Sequence, residues 1–166
     1  MNFSQGSQRV EEEVGRLLEE RGLSLGLAES CTGGMIAARI TDVPGSSAYF
    51  AGGVVAYDNR VKEGVLGVPA IELNQFGAVS DQVARSMAAG VRKLLKTDIG
   101  LAVTGVAGPG GGTPGKPVGL VYIALAGHRG TTAREFRLAG SRAEIRTVTV
   151  HEALTMLLRE LLNNRE

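Results

Sequence analysis

The stretch Ala28-Glu29-Ser30-Cys31-Thr32-Gly33-Gly34 concentrates the residue types able to do nucleophilic chemistry. A short apolar run, about 24–29, breaks at small polar residues, and a helical pattern resumes at Met35-Ile36-Ala37-Ala38-Arg39-Ile40. A strand that opens a helix in this way leaves backbone N–H groups unpaired at the positive end of the helix dipole. A hydroxyl at Ser30 beside such an anion site is what acyl transfer requires. The plainer reading is a helix N-cap, because Ser and Thr favour that position for local hydrogen bonding alone. Cys31 is the rival nucleophile. Adjacent residues leaving a strand point opposite ways, so at most one of the two faces a pocket.

A nucleophile needs a base, and the chain has only two histidines. His128 sits in a Gly-His-Arg-Gly turn and His151 in a helical stretch, so a Ser-His-Asp triad has few candidates. Lysine is the obvious alternative. One cysteine and two histidines leave nothing to build a zinc cluster. No metal and no cofactor are expected. Lys62 lies on a short helix opened by Asp58 and Asn59, and composition alone reads it as a solvated lysine.

A second unusual segment follows Thr104: the glycine-rich loop from Gly105 to Pro117, including Gly108, Gly110, Gly111 and Gly112. It matches neither a P-loop nor a dinucleotide fingerprint. Successive free N–H groups in such a loop can form an anion nest, to which Lys116 and Arg142 would add charge-assisted contacts. The alternative is a flexible glycine loop with no ligand.

The elements that must position these residues follow from periodicity. Val10, Val14, Leu17 and Leu18 mark one face of a first helix that Gly22 closes. Tyr49 to Tyr57 reads as a second strand, buried on both faces, and the short helix carrying Lys62 ends at Gly67 before Pro69. Ser80 caps a helix with an apolar stripe from Ala84 to Leu95. Strands are expected at 98–104, 118–126 and 131–138, the last exposed at an edge, and Ser141 begins a long final helix. The pattern predicts a three-layer α/β/α domain with a mixed, mostly parallel sheet, one domain over residues 1–166. If the strands before Ser30 and Gly105 run parallel, both loops share one rim, where α/β sheets bind ligands.

The 166 residues are 43% hydrophobic and 21% charged, a soluble globular composition. A net charge of +1 and 4% aromatics give no argument for nucleic acid. The polar, then acidic, residues 1–13 hold no apolar signal core, and no apolar run approaches a membrane span. A cytoplasmic location is expected.

Several separated motifs carry a resemblance. Besides the Ser30 segment these are Pro44-Gly45-Ser46-Ser47, Tyr57-x-Asn59-x-x-Lys62-x-x-x-Leu66-Gly67-Val68, Gly77-Ala78-Val79-Ser80, Thr104-Gly105-x-Ala107-Gly108-Pro109-x-Gly111-Gly112 and Lys116-Pro117-Val118-Gly119. In this order, over nearly the whole chain, they resemble the CinA carboxy-terminal domain family, the nicotinamide-nucleotide amidohydrolases. The resemblance implies hydrolysis of the carboxamide of nicotinamide mononucleotide to nicotinate mononucleotide and ammonia, in pyridine-nucleotide recycling. It implies Ser30 as nucleophile, Lys62 as its base and Tyr57 as an orienting or proton-relaying group. The N–H groups around Thr32, Gly33 and Gly34 would hold the oxyanion. Thr104, Gly105 and the 108–112 loop would bind ribose and phosphate, with Ser46 and Ser47 lining the pocket. The family pattern Gly-Asp-Arg is here Gly140-Ser141-Arg142, and the larger amino-terminal domain of many members has no counterpart in this sequence.

Two other functions compete: a non-catalytic nucleotide-binding or sensing domain, and a homo-oligomeric scaffold with glycine loops at its interface. The partner expected in the amidohydrolase and binding-domain readings is a small nucleotide, and an apolar edge near Phe136 favours a homo-oligomer, dimer or higher.

Overall fold

The computed structural model describes residues 9–163, so the reading of the first eight residues lies outside it. The elements are α1 (Val10–Glu20), β1 (Leu25–Glu29), α2 (Met35–Thr41), β2 (Phe50–Val55), α3 (Asn59–Gly64), α4 (Ala70–Phe76), α5 (Asp81–Leu95), β3 (Ile99–Gly105), β4 (Leu120–Gly127), β5 (Gly130–Arg137) and α6 (Arg142–Asn163), with a 3₁₀ turn at Ser46–Ala48. The five strands form one sheet in the order β2-β1-β3-β4-β5. β1 is parallel to both β2 and β3, and β4 is antiparallel to β3 and β5. Four of the five strands therefore point the same way, with β4 reversed.

Alternation along the strands sorts the two faces. Leu25 and Leu27, Leu101 and Val103, and Val121, Ile123 and Leu125 form one core with Val14 and Leu18 of α1, Ile36 and Ile40 of α2, and Leu154 and Leu157 of α6. The opposite face offers Ala28, Ala102, Ala124 and Ala126 to Val83, Met87 and Val91 of α5. Small strand residues on that side let α5 sit close to the sheet. A Cβ on Gly100 would lie 2.2 Å from the Ala88 carbonyl oxygen.

Two expectations are corrected. β2 is an edge strand whose burial alternates, so one of its faces is exposed and it is not a strand covered on both sides. Its apolar residues suggested full burial because Gly52 and Gly53 leave no polar residue to mark the outward face. The second correction is α4, which the sequence did not reveal. It contributes no fully buried residue and its Ile71 is exposed, so it shows no apolar periodicity to read.

Candidate active site

Parallel pairing of β1 with β3 puts Glu29 opposite Val103, and the loops after both strands leave from the same rim of the sheet. Ser30 is the first residue past β1. Its N–H donates to the Val103 carbonyl at 3.1 Å, which anchors the backbone before the chain turns. The turn closes through the Gly33 N–H, which donates to the Ser30 carbonyl at 3.1 Å. Gly33 and Gly34 take φ of 57° and 105°, backbone that favours glycine.

Lys62 arrives from the α5 side of the sheet. Asp58 fixes the start of α3 by accepting from the Arg60 N–H at 2.8 Å, and Lys62 follows one turn later. Its side chain is 1% exposed. Nζ lies 3.1 Å from Ser30 Oγ, 2.7 Å from the Ala56 carbonyl oxygen and 3.5 Å from that of Tyr57. Burial pulls the lysine pKa below its ordinary value, only partly opposed by Cys31 and Asp58. A neutral amine has two N–H donors and one lone pair. In its neutral form Lys62 could donate to the two carbonyls and keep its lone pair for the Ser30 hydroxyl proton.

Glu29 and Arg146 hold the turn that follows Ser30, and the sequence assigned neither a role. Glu29 is 2% exposed, and its carboxylate accepts from Thr32 Oγ1 at 2.6 Å and from the N–H groups of Ile36 and Ala37 at 2.8 and 3.0 Å. These are first-turn donors of α2, so the helix start is capped by Glu29 and is not an open anion site. Among the described residues no acceptor takes the N–H of Thr32 or Gly34. From α6, Arg146 donates through Nε to the Cys31 carbonyl at 3.0 Å and through Nη2 to the Thr32 carbonyl at 3.2 Å. A strand-end carboxylate before a helix is a readable signal for Glu29. Nothing local in sequence links Arg146 to a turn more than a hundred residues earlier.

The other candidates divide. Tyr57 is 62% exposed, and its hydroxyl accepts from Arg142 at 3.1 Å, away from Ser30 and Lys62. What Tyr57 turns toward Lys62 is its backbone carbonyl. Arg142 also donates to the Gly108 carbonyl at 2.7 Å, tying the glycine loop to Tyr57. Thr104 is buried beside the rim, with its hydroxyl donating to the Ala78 carbonyl at 2.9 Å. Gly105 ends β3 against Val121 and Leu120, while Gly110 and Gly111 are exposed in the loop. Lys116 donates to the Phe76 carbonyl at the end of α4. Ser46 and Ser47 are a correction: they precede β2, whose first residue pairs with the first residue of β1. At about 3.3 Å per strand residue, five residues of β1 put them about 16 Å from the rim. Ser141 caps the start of α6: its Oγ accepts from the Glu144 N–H at 3.3 Å, and the Glu144 carboxylate accepts from the Ser141 N–H at 2.7 Å.

Cys31 points into the α1–α2–α6 core, and burial pushes its thiol up to about 11. A thiol held neutral in this way is a poor nucleophile. Among the described residues no group of His, Cys, Asp or Glu is placed to hold a metal, and no helix is long and apolar enough to cross a membrane.

Fold and site together define a three-layer α/β domain presenting a buried serine–lysine pair at the carboxyl ends of parallel strands. Comparison with known proteins is consistent with that description. The profile of the CinA C-terminal domain matches residues 7–161, and the chain belongs to that family. It is 56% identical over 163 residues to a Desulforudis audaxviator protein described as competence-damage inducible, covering 98% of this chain and 39% of that one. It is 55% identical to the CinA-like protein of Geobacter sulfurreducens, covering 96% and 38%. The chain thus spans about two-fifths of the length of these relatives. Among solved structures, the competence/damage inducible protein CihA from Agrobacterium tumefaciens aligns with a TM-score of 0.87 at 43% identity, covering 96% of this chain and 98% of that one. The competence damage-inducible protein A from Klebsiella pneumoniae aligns with a TM-score of 0.90 at 35% identity, covering 95% and 97%.

Proposed function

We propose that this domain hydrolyses the carboxamide of nicotinamide mononucleotide by a serine–lysine mechanism, releasing nicotinate mononucleotide and ammonia. The observation that carries the reading is Lys62: a buried lysine with no carboxylate partner among the described residues, 3.1 Å from a serine hydroxyl at the mouth of the sheet. A structural lysine would be exposed or paired with an acid.

The chemistry then runs through this chain's own groups. Neutral Lys62 takes the Ser30 proton as Oγ bonds to the carboxamide carbon. The carbonyl oxygen becomes an oxyanion, accepting from the Thr32 and Gly34 N–H groups, where one such donor is worth about 3–4 kcal/mol. The Lys62 ammonium returns its proton to the amide nitrogen, the C–N bond breaks and ammonia leaves. Water, deprotonated by Lys62, attacks the acyl-serine; as the C–O bond to Ser30 breaks, Lys62 returns that proton to Oγ, and the carboxylic acid released ionises to the carboxylate. The loop at 105–112 and Arg142 lie on the same rim and suit the ribose and phosphate.

The test is ammonia release from nicotinamide mononucleotide by wild type, Ser30→Ala and Lys62→Ala. Release by wild type alone supports the assignment. Full activity in either variant refutes the pair. Nucleotide-induced thermal stabilisation without product from wild type favours a binding or sensing domain.

A further inference from the structure

We infer that Arg146 is a positioning residue for the oxyanion site, acting on the peptide groups behind it. This inference rests on the serine–lysine reading of the same site. The Cys31 carbonyl that accepts from Arg146 Nε belongs to the same peptide group as the Thr32 N–H, one of the two donors of this turn without an acceptor among the described residues. In a trans peptide the C=O and N–H point in opposite directions. Holding the carbonyl against α6 therefore turns the Thr32 N–H away from α6. Glu29 packs toward α2 on that same layer, so its neighbour Ser30 faces the other way, toward Lys62.

A guanidinium at a carbonyl oxygen also polarises the amide and makes its N–H a stronger donor, as in any chain of hydrogen bonds. The second contact works in the same sense. The Thr32 carbonyl accepts from Arg146 Nη2, and the N–H of that peptide, on Gly33, donates to the Ser30 carbonyl. One side chain thus fixes two successive peptides, one aimed at the oxyanion and one closing the turn that carries the nucleophile. Arginine suits this because its donors form a rigid planar fork spanning two acceptors, which a lysine ammonium does not.

The experiment measures phosphonylation of Ser30 by a fluorophosphonate in the full chain. Ser30 Oγ bonds to phosphorus, the P–F bond breaks, fluoride leaves and Lys62 takes the hydroxyl proton. The phosphoryl oxygen then occupies the oxyanion position, so the rate reads that site whatever the natural substrate. Arg146→Met should slow labelling at least tenfold with an unchanged pH midpoint, because Ser30 keeps its own backbone anchor to the Val103 carbonyl and with it the contact to Lys62. Arg146→Lys, restoring charge but not the fork, should fall between. With nicotinamide mononucleotide the loss should appear in kcat and not in KM.

Labelling of Arg146→Met at the wild-type rate overturns the inference. So does a rate loss accompanied by a shifted pH midpoint, which would mean that Ser30 had simply moved. If Arg146→Met fails to fold, Arg146→Lys decides, and wild-type kinetics there overturn the inference. Wild type that resists labelling overturns both the inference and the serine–lysine reading. Wild type that labels but spares the nucleotide refutes the substrate alone, and the Arg146 comparison then stands on labelling.

Discussion

Lys62 Nζ lies 2.7 Å from the Ala56 carbonyl oxygen, and no carboxylate within the described residues joins it there. An ammonium in that place loses its hydration and recovers only dipoles, so the folded state bears a cost that the unfolded chain does not. Lys62→Met should therefore abolish turnover and raise the melting temperature near neutral pH. The sign with pH follows from the depressed pKa. Below the folded value both states carry the proton and the cost is complete. Between that value and the ordinary 10.5 the folded lysine is neutral while the unfolded one still binds a proton, so wild-type stability climbs with pH. The advantage of Lys62→Met should shrink across that window, at about 2–4 °C per kcal/mol for a chain of this size. A lower melting temperature for Lys62→Met near neutral pH would show that the carbonyl contacts outweigh desolvation.

In the proposed serine–lysine reaction the same titration would govern turnover, since only neutral Lys62 could accept the Ser30 proton. Turnover should rise with pH through one ionisation whose midpoint lies below the ordinary lysine value of 10.5. A pH–rate profile flat across that range would remove Lys62 as the base.

How legible the site was in sequence depended on whether each part was local. Ser30 and its glycine turn could be read because strand end, small polar residues and helix start are adjacent in the chain. The shared rim followed from strand order once β1 and β3 were taken as parallel. Lys62 read as an ordinary surface lysine on composition, and only the family resemblance singled it out, because it is buried against Ser30, 32 residues earlier in the chain. Arg146 and the exposed face of β2 were invisible for the same reason: each is defined by a neighbour far away in sequence. Ser46 and Ser47 misled because a motif's order along the chain does not say at which end of a strand it falls.

Glu29 offers a sharper test of the turn than Ser30 itself. Its two oxygens accept three hydrogen bonds, two of them at the start of α2. Glu29→Gln replaces one acceptor with an NH₂ group that must face a donor, which leaves a buried mismatch worth about 1–3 kcal/mol. Thermal denaturation should show that loss, and turnover should fall because the unmatched N–H lies in the first turn of α2, directly after the Ser30 turn. An unchanged melting temperature would mean that the cap is dispensable.

Cys31 separates the two adjacent nucleophile candidates. With its thiol near 11 and packed in the core, it should resist iodoacetamide in the native protein at mildly alkaline pH and react once the chain is unfolded. Cys31→Ala should keep turnover, with a modest loss of stability from the vacated volume. Rapid native alkylation with loss of activity would reverse the assignment.

The contact between α5 and the segment after α3 tests how the fold sets the position of Lys62. A Cβ on Gly90 would lie 2.0 Å from the Leu66 carbonyl oxygen, a backbone atom that cannot rotate aside. The Leu66 N–H donates to the Val61 carbonyl and the Val68 N–H to that of Lys62, so displacing Leu66 pulls on the helix end that carries the base. Helix propensity favours Ala over Gly by about 1 kcal/mol, but overpacking against backbone costs about 1–3 kcal/mol and should win. Gly90→Ala is therefore expected to melt lower and to lose kcat. Gly64→Ala, at the end of α3 with nothing within 4 Å of the added carbon, should melt at or above wild type and keep its activity. Differential scanning fluorimetry and ammonia release on the two variants separate the outcomes. Equal behaviour of the pair would show that α3 does not depend on this close approach for its placement.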